Sequence, residues 1–235
     1  MINCAEKEVT VIDRTENAQS VVEIIKLSES PMSAVSVEAF AEGSAEALPE
    51  KPLKIEFIGD SITCGYGVDD EDENHQFTTA TEDVTKAYAY KTAKALDAEY
   101  SMFSASGYGI VSGYTEGDEP ISEQTIPQFY CSYGFSRGNF AGTAPQDIPW
   151  DFSKYIPQII VINLGTNDDS YCRDHKDRQA VFSKLYADFL AVVREKNPQA
   201  YILCTVGIMG ERIFPAVEEG IKIYLKSHAD SKISS

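Results

Sequence analysis

The segment 158–163 reads Gln-Ile-Ile-Val-Ile-Asn, and it constrains the fold more than any other stretch of the chain. Successive β-branched residues suit a strand, but they leave no polar face for water, so both sides of that strand must be covered. A strand sealed on both faces belongs in a parallel sheet between layers of helix. The surrounding sequence agrees. Segments 54–58, 99–103 and 200–206 are also strand-like, and helical patterns lie between them. Residues 85–97 are rich in Ala, and 178–196 carry Val181, Leu185, Phe189 and Val193 at helical spacing until Asn197-Pro198 stops the helix. The expectation is a three-layer α/β domain with a parallel sheet over residues 51–235.

Residues 1–50 follow another pattern. Short β-branched runs at 8–13, 21–26 and 34–38 read as strands, and 41–52, rich in Ala, Glu, Gly and Pro, reads as a linker. Short strands without helices bury too little to stand alone, so 1–50 is expected to be a partial β-rich region, packed on its neighbour or left from a larger unit. A length of 235 residues fits one full domain plus such a fragment.

Charge narrows the function classes. The 20 Lys and Arg against 37 Asp and Glu give a net charge of −17, which repels nucleic acid and anionic membrane surfaces. No stretch approaches the roughly 20 apolar residues of a membrane span. The N-terminal residues lack the basic-then-apolar pattern of a signal peptide. The chain as it stands is expected to be soluble: cytoplasmic, or secreted if an N-terminal portion is missing. Its five cysteines are odd in number and scattered, and read as free buried thiols rather than disulfides or metal ligands.

The polar loops after the strands carry the chemistry. Gly59-Asp60-Ser61 directly follows the first strand, and α/β proteins bind ligands at the carboxyl ends of parallel strands. Small neighbours let the backbone turn sharply and expose the Ser61 hydroxyl near a helix N-terminus, although Asp60 or Ser61 also suits a helix cap. Ser104-Ala105-Ser106-Gly107-Tyr108-Gly109 follows the second strand and Asn163-Leu164-Gly165-Thr166-Asn167-Asp168 ends the third, so the three loops should meet at one edge. The Gly107 N–H and the Asn167 amide are donors suited to an acyl-transfer oxyanion; singly, each also suits a turn or cap.

In order and spacing, Gly59-Asp60-Ser61, Gly107 and Gly165-Thr166-Asn167-Asp168 resemble three of the four conserved blocks of the SGNH (GDSL-type) serine hydrolases. The runs 55–67 and 162–168 are most similar to the second carbohydrate esterase family, acetylxylan esterase-like proteins that remove acetyl groups from plant polysaccharides. The resemblance covers about residues 5–230. It implies a flavodoxin-like SGNH hydrolase fold with a β-sandwich ahead of it. It also implies Ser61 as nucleophile, an oxyanion hole of the Ser61 amide, Gly107 and Asn167, and Gly59, Asp60, Gly165 and Asp168 as neighbouring motif residues. No metal or organic cofactor is implied. The expected substrate is an acylated carbohydrate or another small ester; the rivals are a GDSL-type lipase or thioesterase and a catalytically impaired carbohydrate-binding protein.

The family's fourth block, Asp-x-x-His-Pro near the C-terminus, has no match here. The chain ends at Ser235, where the strand preceding that block is expected, so truncation at both ends is the expectation. Serine is a weak nucleophile without a base, and the available substitutes are His75 (in Asp72-Glu73-Asn74-His75), His175 and His228. His228 is expected on an exposed helix end. The acidic run 69–73 lacks the calcium-loop pattern and reads as a solvated loop. Gly107, Gly109 and Gly113 are spaced one residue too long for a dinucleotide fingerprint. Residues 115–150 are an aperiodic excursion; Tyr114, Tyr130, Tyr133, Phe135 and Trp150 in and beside it either stack on sugars or fill core.

Overall fold

The computed structural model describes residues 23–31, 46–139 and 142–235. The strand-like runs at 8–13 and 34–38 lie outside these residues. Of the run at 21–26, residues 23–26 are described and form no strand. They belong to a strap whose polar groups go to nearby loops instead of a ladder: the Leu27 carbonyl accepts the Val84 N–H at 3.1 Å.

The strands form one all-parallel sheet in the order β2-β1-β3-β4-β5, with β1 Lys54–Gly59, β2 Glu99–Ser104, β3 Ile159–Asn163, β4 Tyr201–Thr205 and β5 Ile233–Ser234. The helices are α1 Ser61–Cys64, α2 Tyr88–Ala95, α3 Thr166–Cys172, α4 Lys176–Lys196 and α5 Phe214–Ser227. The pleat sorts side chains between two layers. Ile55, Phe57, Ile159 and Val161 pack with Ala89 and Ala93 of α2. Ile58, Ile160, Ile162, Ile202 and Cys204 pack with α4 and α5 on the other face. Each fully buried Ile or Phe here contributes roughly 1.5–3 kcal/mol by leaving water.

The stripe read on α4 is corrected. Val181 and Leu185 are exposed, and the large buried side chains are Phe182, Tyr186, Phe189, Leu190 and Val193. A row stepping by four residues drifts about 40° per step on a helix of 3.6 residues per turn, so it winds off the buried face. Of α5 the sequence reading gives only the exposed end at His228, not its extent. Its apolar row is broken by Gly220, which lets α5 approach α4 closely: a Cβ there would lie 2.9 Å from the Ser183 carbonyl oxygen.

Segment 115–150 is irregular among its described residues apart from the short 3-10 turn Pro145–Asp147. Tyr130 and Phe135 prove to be core residues, whereas Tyr114 and Tyr133 are exposed. Cys64, Cys172 and Cys204 are buried free thiols, but Cys131 is exposed; Cys4 lies outside the described residues. Among the described residues, no helix is long and apolar enough to cross a membrane.

Candidate active site

The register of the sheet assembles the site. Gly59 pairs with both Ser104 and Asn163, and Asn163 pairs with Thr205, so four strand ends stand in one row. The loops beginning at Asp60, Ala105 and Leu164 therefore leave the same edge. Gly59 is needed for close approach: a Cβ there would fall 2.0 Å from Thr63 Oγ1.

Asp60 caps α1, its Oδ1 accepting the Ile62 N–H at 3.0 Å, while Ser61 occupies the first helical position. Capping and exposure of the serine thus coexist. α1 is only four residues long, so its dipole contributes less than the sequence reading supposed. Asn167 Nδ2, on α3, donates to the Tyr108 carbonyl at 2.8 Å and to Asp60 Oδ2 at 3.3 Å, tying all three loops together. Gly165 forms the N-cap of α3. Gly107 adopts φ +82°, a left-handed conformation that glycine reaches without strain. Its carbonyl accepts the Tyr114 N–H at 2.8 Å. Among the described residues, no acceptor takes the N–H of Ser61 or of Gly107, and the Ser61 hydroxyl has no hydrogen-bond partner. Three uncommitted polar groups are thereby gathered at one sheet edge.

Two buried carboxyls brace this arrangement. Asp168 Oδ1 accepts the N–H groups of Ile110, Val111 and Ser112 at 3.0, 2.6 and 3.1 Å, fixing the chain that leaves Gly107. Burial lifts the Asp168 carboxyl to about 6, with those amides pulling it back. Burial lifts Asp60 to about 7; the Ile62 N–H opposes this and the Asp168 charge adds to it.

The GDSL-like lipase/acylhydrolase family model matches residues 57–224, a span that holds all of these loops. The chain belongs to this family. Among curated relatives, cellulase/esterase CelE of Acetivibrio thermocellus is 37% identical over 187 residues, covering 78% of this chain and 21% of the relative. An acetylxylan esterase / glucomannan deacetylase of Cellvibrio japonicus is 31% identical over 208 residues, covering 87% of this chain and 51% of the relative. Among solved structures, an acetyl xylan esterase from the rumen bacterium Butyrivibrio proteoclasticus superposes with TM-score 0.72 at 27% identity, covering 80% of this chain and 56% of that one. The chain spans between a fifth and about half of the length of the curated relatives it matches.

Among the described residues of the GDSL-like domain, no histidine bonds Ser61. His75 Nδ1 bonds Asp70 Oδ1 at 2.8 Å on an exposed loop. His175 is exposed at the N-cap of α4, on the same edge as the site but with no side-chain bond to it among the described residues. His228 stacks on Tyr224 at the C-terminal end of α5, as expected for an exposed helix end. Helices that return between parallel strands run against them, so that end of α5 faces the opposite edge of the sheet. Asp168's hold on residues 110–112 carries no sequence signal beyond the GTND run itself. Nor does the bidentate pair of Arg212 with Asp169, at 2.9 and 2.8 Å, which ties the loop after β4 to α3.

Proposed function

We propose that residues 51–235 form the catalytic domain of a serine esterase that removes acyl groups, chiefly acetyl, from carbohydrate hydroxyls, and that 1–50 belong to a β-rich unit ahead of it. The observation that carries this reading is the set of free groups at the sheet edge: the Ser61 hydroxyl, the Ser61 N–H and the Gly107 N–H. Ser61 Oγ attacks the ester carbonyl as its proton passes to a general base, the role the family resemblance gives to a histidine; the two N–H groups receive the oxyanion, and its collapse expels the sugar hydroxyl with that proton and leaves an acyl-serine. Asn167 Nδ2 joins them by exchanging its longer bond, at 3.3 Å to Asp60, for the oxyanion. Water then releases the acid from the acyl-serine. The relatives named acetylxylan esterase and glucomannan deacetylase direct the substrate toward acetylated plant polysaccharides. A neutral polymer is also the kind that a chain of charge −17 does not repel. Tyr114, exposed and bonded through its N–H to the Gly107 carbonyl, is the aromatic residue we assign to sugar stacking. None of this requires a metal or organic cofactor.

The second reading is a carbohydrate-binding domain without turnover, favoured by the absence, among the described residues, of any histidine bonded to Ser61. Hydrolysis of 4-nitrophenyl acetate, with Ser61→Ala as control, separates the two. Serine-dependent turnover supports the esterase. Rates equal to the control, with xylo- or cello-oligosaccharide binding intact in both proteins, sink it in favour of the binding domain. A preference for long acyl chains over acetyl would move the protein to the lipase or thioesterase class.

A further inference from the structure

The strap 23–31 lies outside the span matched by the family model, yet it reaches the loops of the site. Its Glu29 is buried, at 7% exposure. Glu29 Oε2 accepts the Ser106 N–H at 2.5 Å and the Cys64 thiol at 3.3 Å, and the Glu29 N–H donates to Glu82 Oε2 at 3.2 Å. The Pro31 carbonyl accepts the Arg137 N–H at 3.4 Å, and the Leu27 carbonyl holds Val84, so the strap is fastened on both sides of Glu29. One carboxylate thereby joins the last residue of α1 to the residue immediately before Gly107.

That position matters because Gly107 offers its own N–H to the site. Glycine at φ +82° has no side chain to lock it, and its own N–H is free, so the peptides on either side must set its direction. On one side the Gly107 carbonyl is held by the Tyr114 N–H. On the other, the only hydrogen bond made by the Ser106 N–H among the described residues is the one to Glu29.

We propose that Glu29 is a positioning residue for the oxyanion hole: by holding the Ala105–Ser106 peptide it aims the Gly107 N–H at the oxygen bound beside Ser61. This rests on the oxyanion role proposed for Gly107. A charge-assisted bond from a buried carboxylate is the strong kind needed for such a task. Lys26, whose amine is pulled below its ordinary range by burial while the nearby Glu82 and Glu29 oppose that pull, is a cation near this group; Glu82, raised to about 7 mainly by burial and then by the Glu29 charge, is the neighbouring acid. The donor atoms of Glu29, Cys64 and Glu82 lie within 4.8 Å of one another, a spacing a metal ion could use. Burial holds the Cys64 thiol far above its ordinary range, and here it donates to Glu29 at 3.3 Å.

The experiment uses the full chain, labelled for NMR, as wild type, Glu29→Ala and Glu29→Gln, with the β3 amides as an internal check of folding. One arm measures hydrogen exchange at the Ser106 and Gly107 amides. The other measures affinity for phenylboronic acid, whose boron accepts the Ser61 Oγ lone pair while the serine proton passes to solvent, leaving a boron-bound oxygen in the oxyanion hole. Glu29→Ala should speed Ser106 exchange and weaken the boronate by about tenfold or more, the size of one lost charge-assisted bond. Glu29→Gln keeps a carbonyl acceptor and should recover most of both. Unchanged Ser106 exchange in Glu29→Ala overturns the proposal, and so does boronate affinity unchanged in that variant while Ser61→Ala abolishes it. Boronate binding indifferent to Ser61→Ala would instead refute the nucleophile reading, and the exchange arm would still decide whether Glu29 holds the loop.

Discussion

Replacing Glu56 with glutamine should make the protein more stable above neutral pH and leave it unchanged below about pH 4.5. Glu56 lies mid-strand in β1, turned by the pleat into the layer under α4, where its Oε2 accepts the Tyr130 hydroxyl at 3.0 Å. Asn197 Nδ2 donates to the same hydroxyl oxygen at 2.9 Å. Burial lifts the Glu56 carboxyl from about 4.5 to about 7, and the Tyr130 hydrogen bond restrains the rise. A carboxyl raised in this way is held protonated by the fold and released by the unfolded chain. Its contribution is therefore complete below about pH 4.5 and is lost as pH rises through about 7. The distance between those values puts about 3 kcal/mol against the ionised folded state. Glutamine is neutral at every pH and keeps a carbonyl for Tyr130. Thermal unfolding of both proteins between pH 4.5 and 8 should show melting temperatures that coincide at the acid end and separate by roughly 6–12 °C at the alkaline end. Asp60, Asp168 and Glu82 are also raised and titrate in both proteins, so the comparison rests on the gap between the two curves. Parallel curves across that range would refute the reasoning.

Two further outcomes follow from the loops. Asn167→Ala should lower kcat toward acetyl esters by about 100- to 1000-fold with little change in KM, the loss typical of one oxyanion donor; a change confined to KM would remove Asn167 from that role. Gly109→Ala should destabilise the protein more than Gly107→Ala, as read from urea midpoints. A Cβ at 109 would lie 2.2 Å from the Ser112 carbonyl oxygen and 2.5 Å from Asp168 Oδ2, an overpacking cost of about 1–3 kcal/mol. At 107 the nearest atom is 4.0 Å away, and only the left-handed backbone counts, at about 1 kcal/mol. The reverse order would mean that the Asp168-bound turn is not rigid.

The sequence by itself determined the layered architecture and the identity of the loops that meet. The unbroken β-branched run at 159–162 leaves its strand no wet face, and Gly59-Asp60-Ser61, Ser106-Gly107 and Asn167-Asp168 each follow a strand of that sheet, so the parallel arrangement dictates their common edge. Periodicity served less well on α4, because a row of fixed step drifts around the helix, and of α5 it gave only the end at His228, not the apolar face of Val217, Ile221 and Tyr224 on either side of the glycine that lets the helix approach α4. Only the tertiary structure decided how the loops are held. Asp168 reaches amides more than 50 residues away, and Glu29 reaches Ser106 across 77 positions. Such bonds join a side chain to backbone N–H groups, which every residue but proline carries, so no residue type or spacing at the receiving end can announce them.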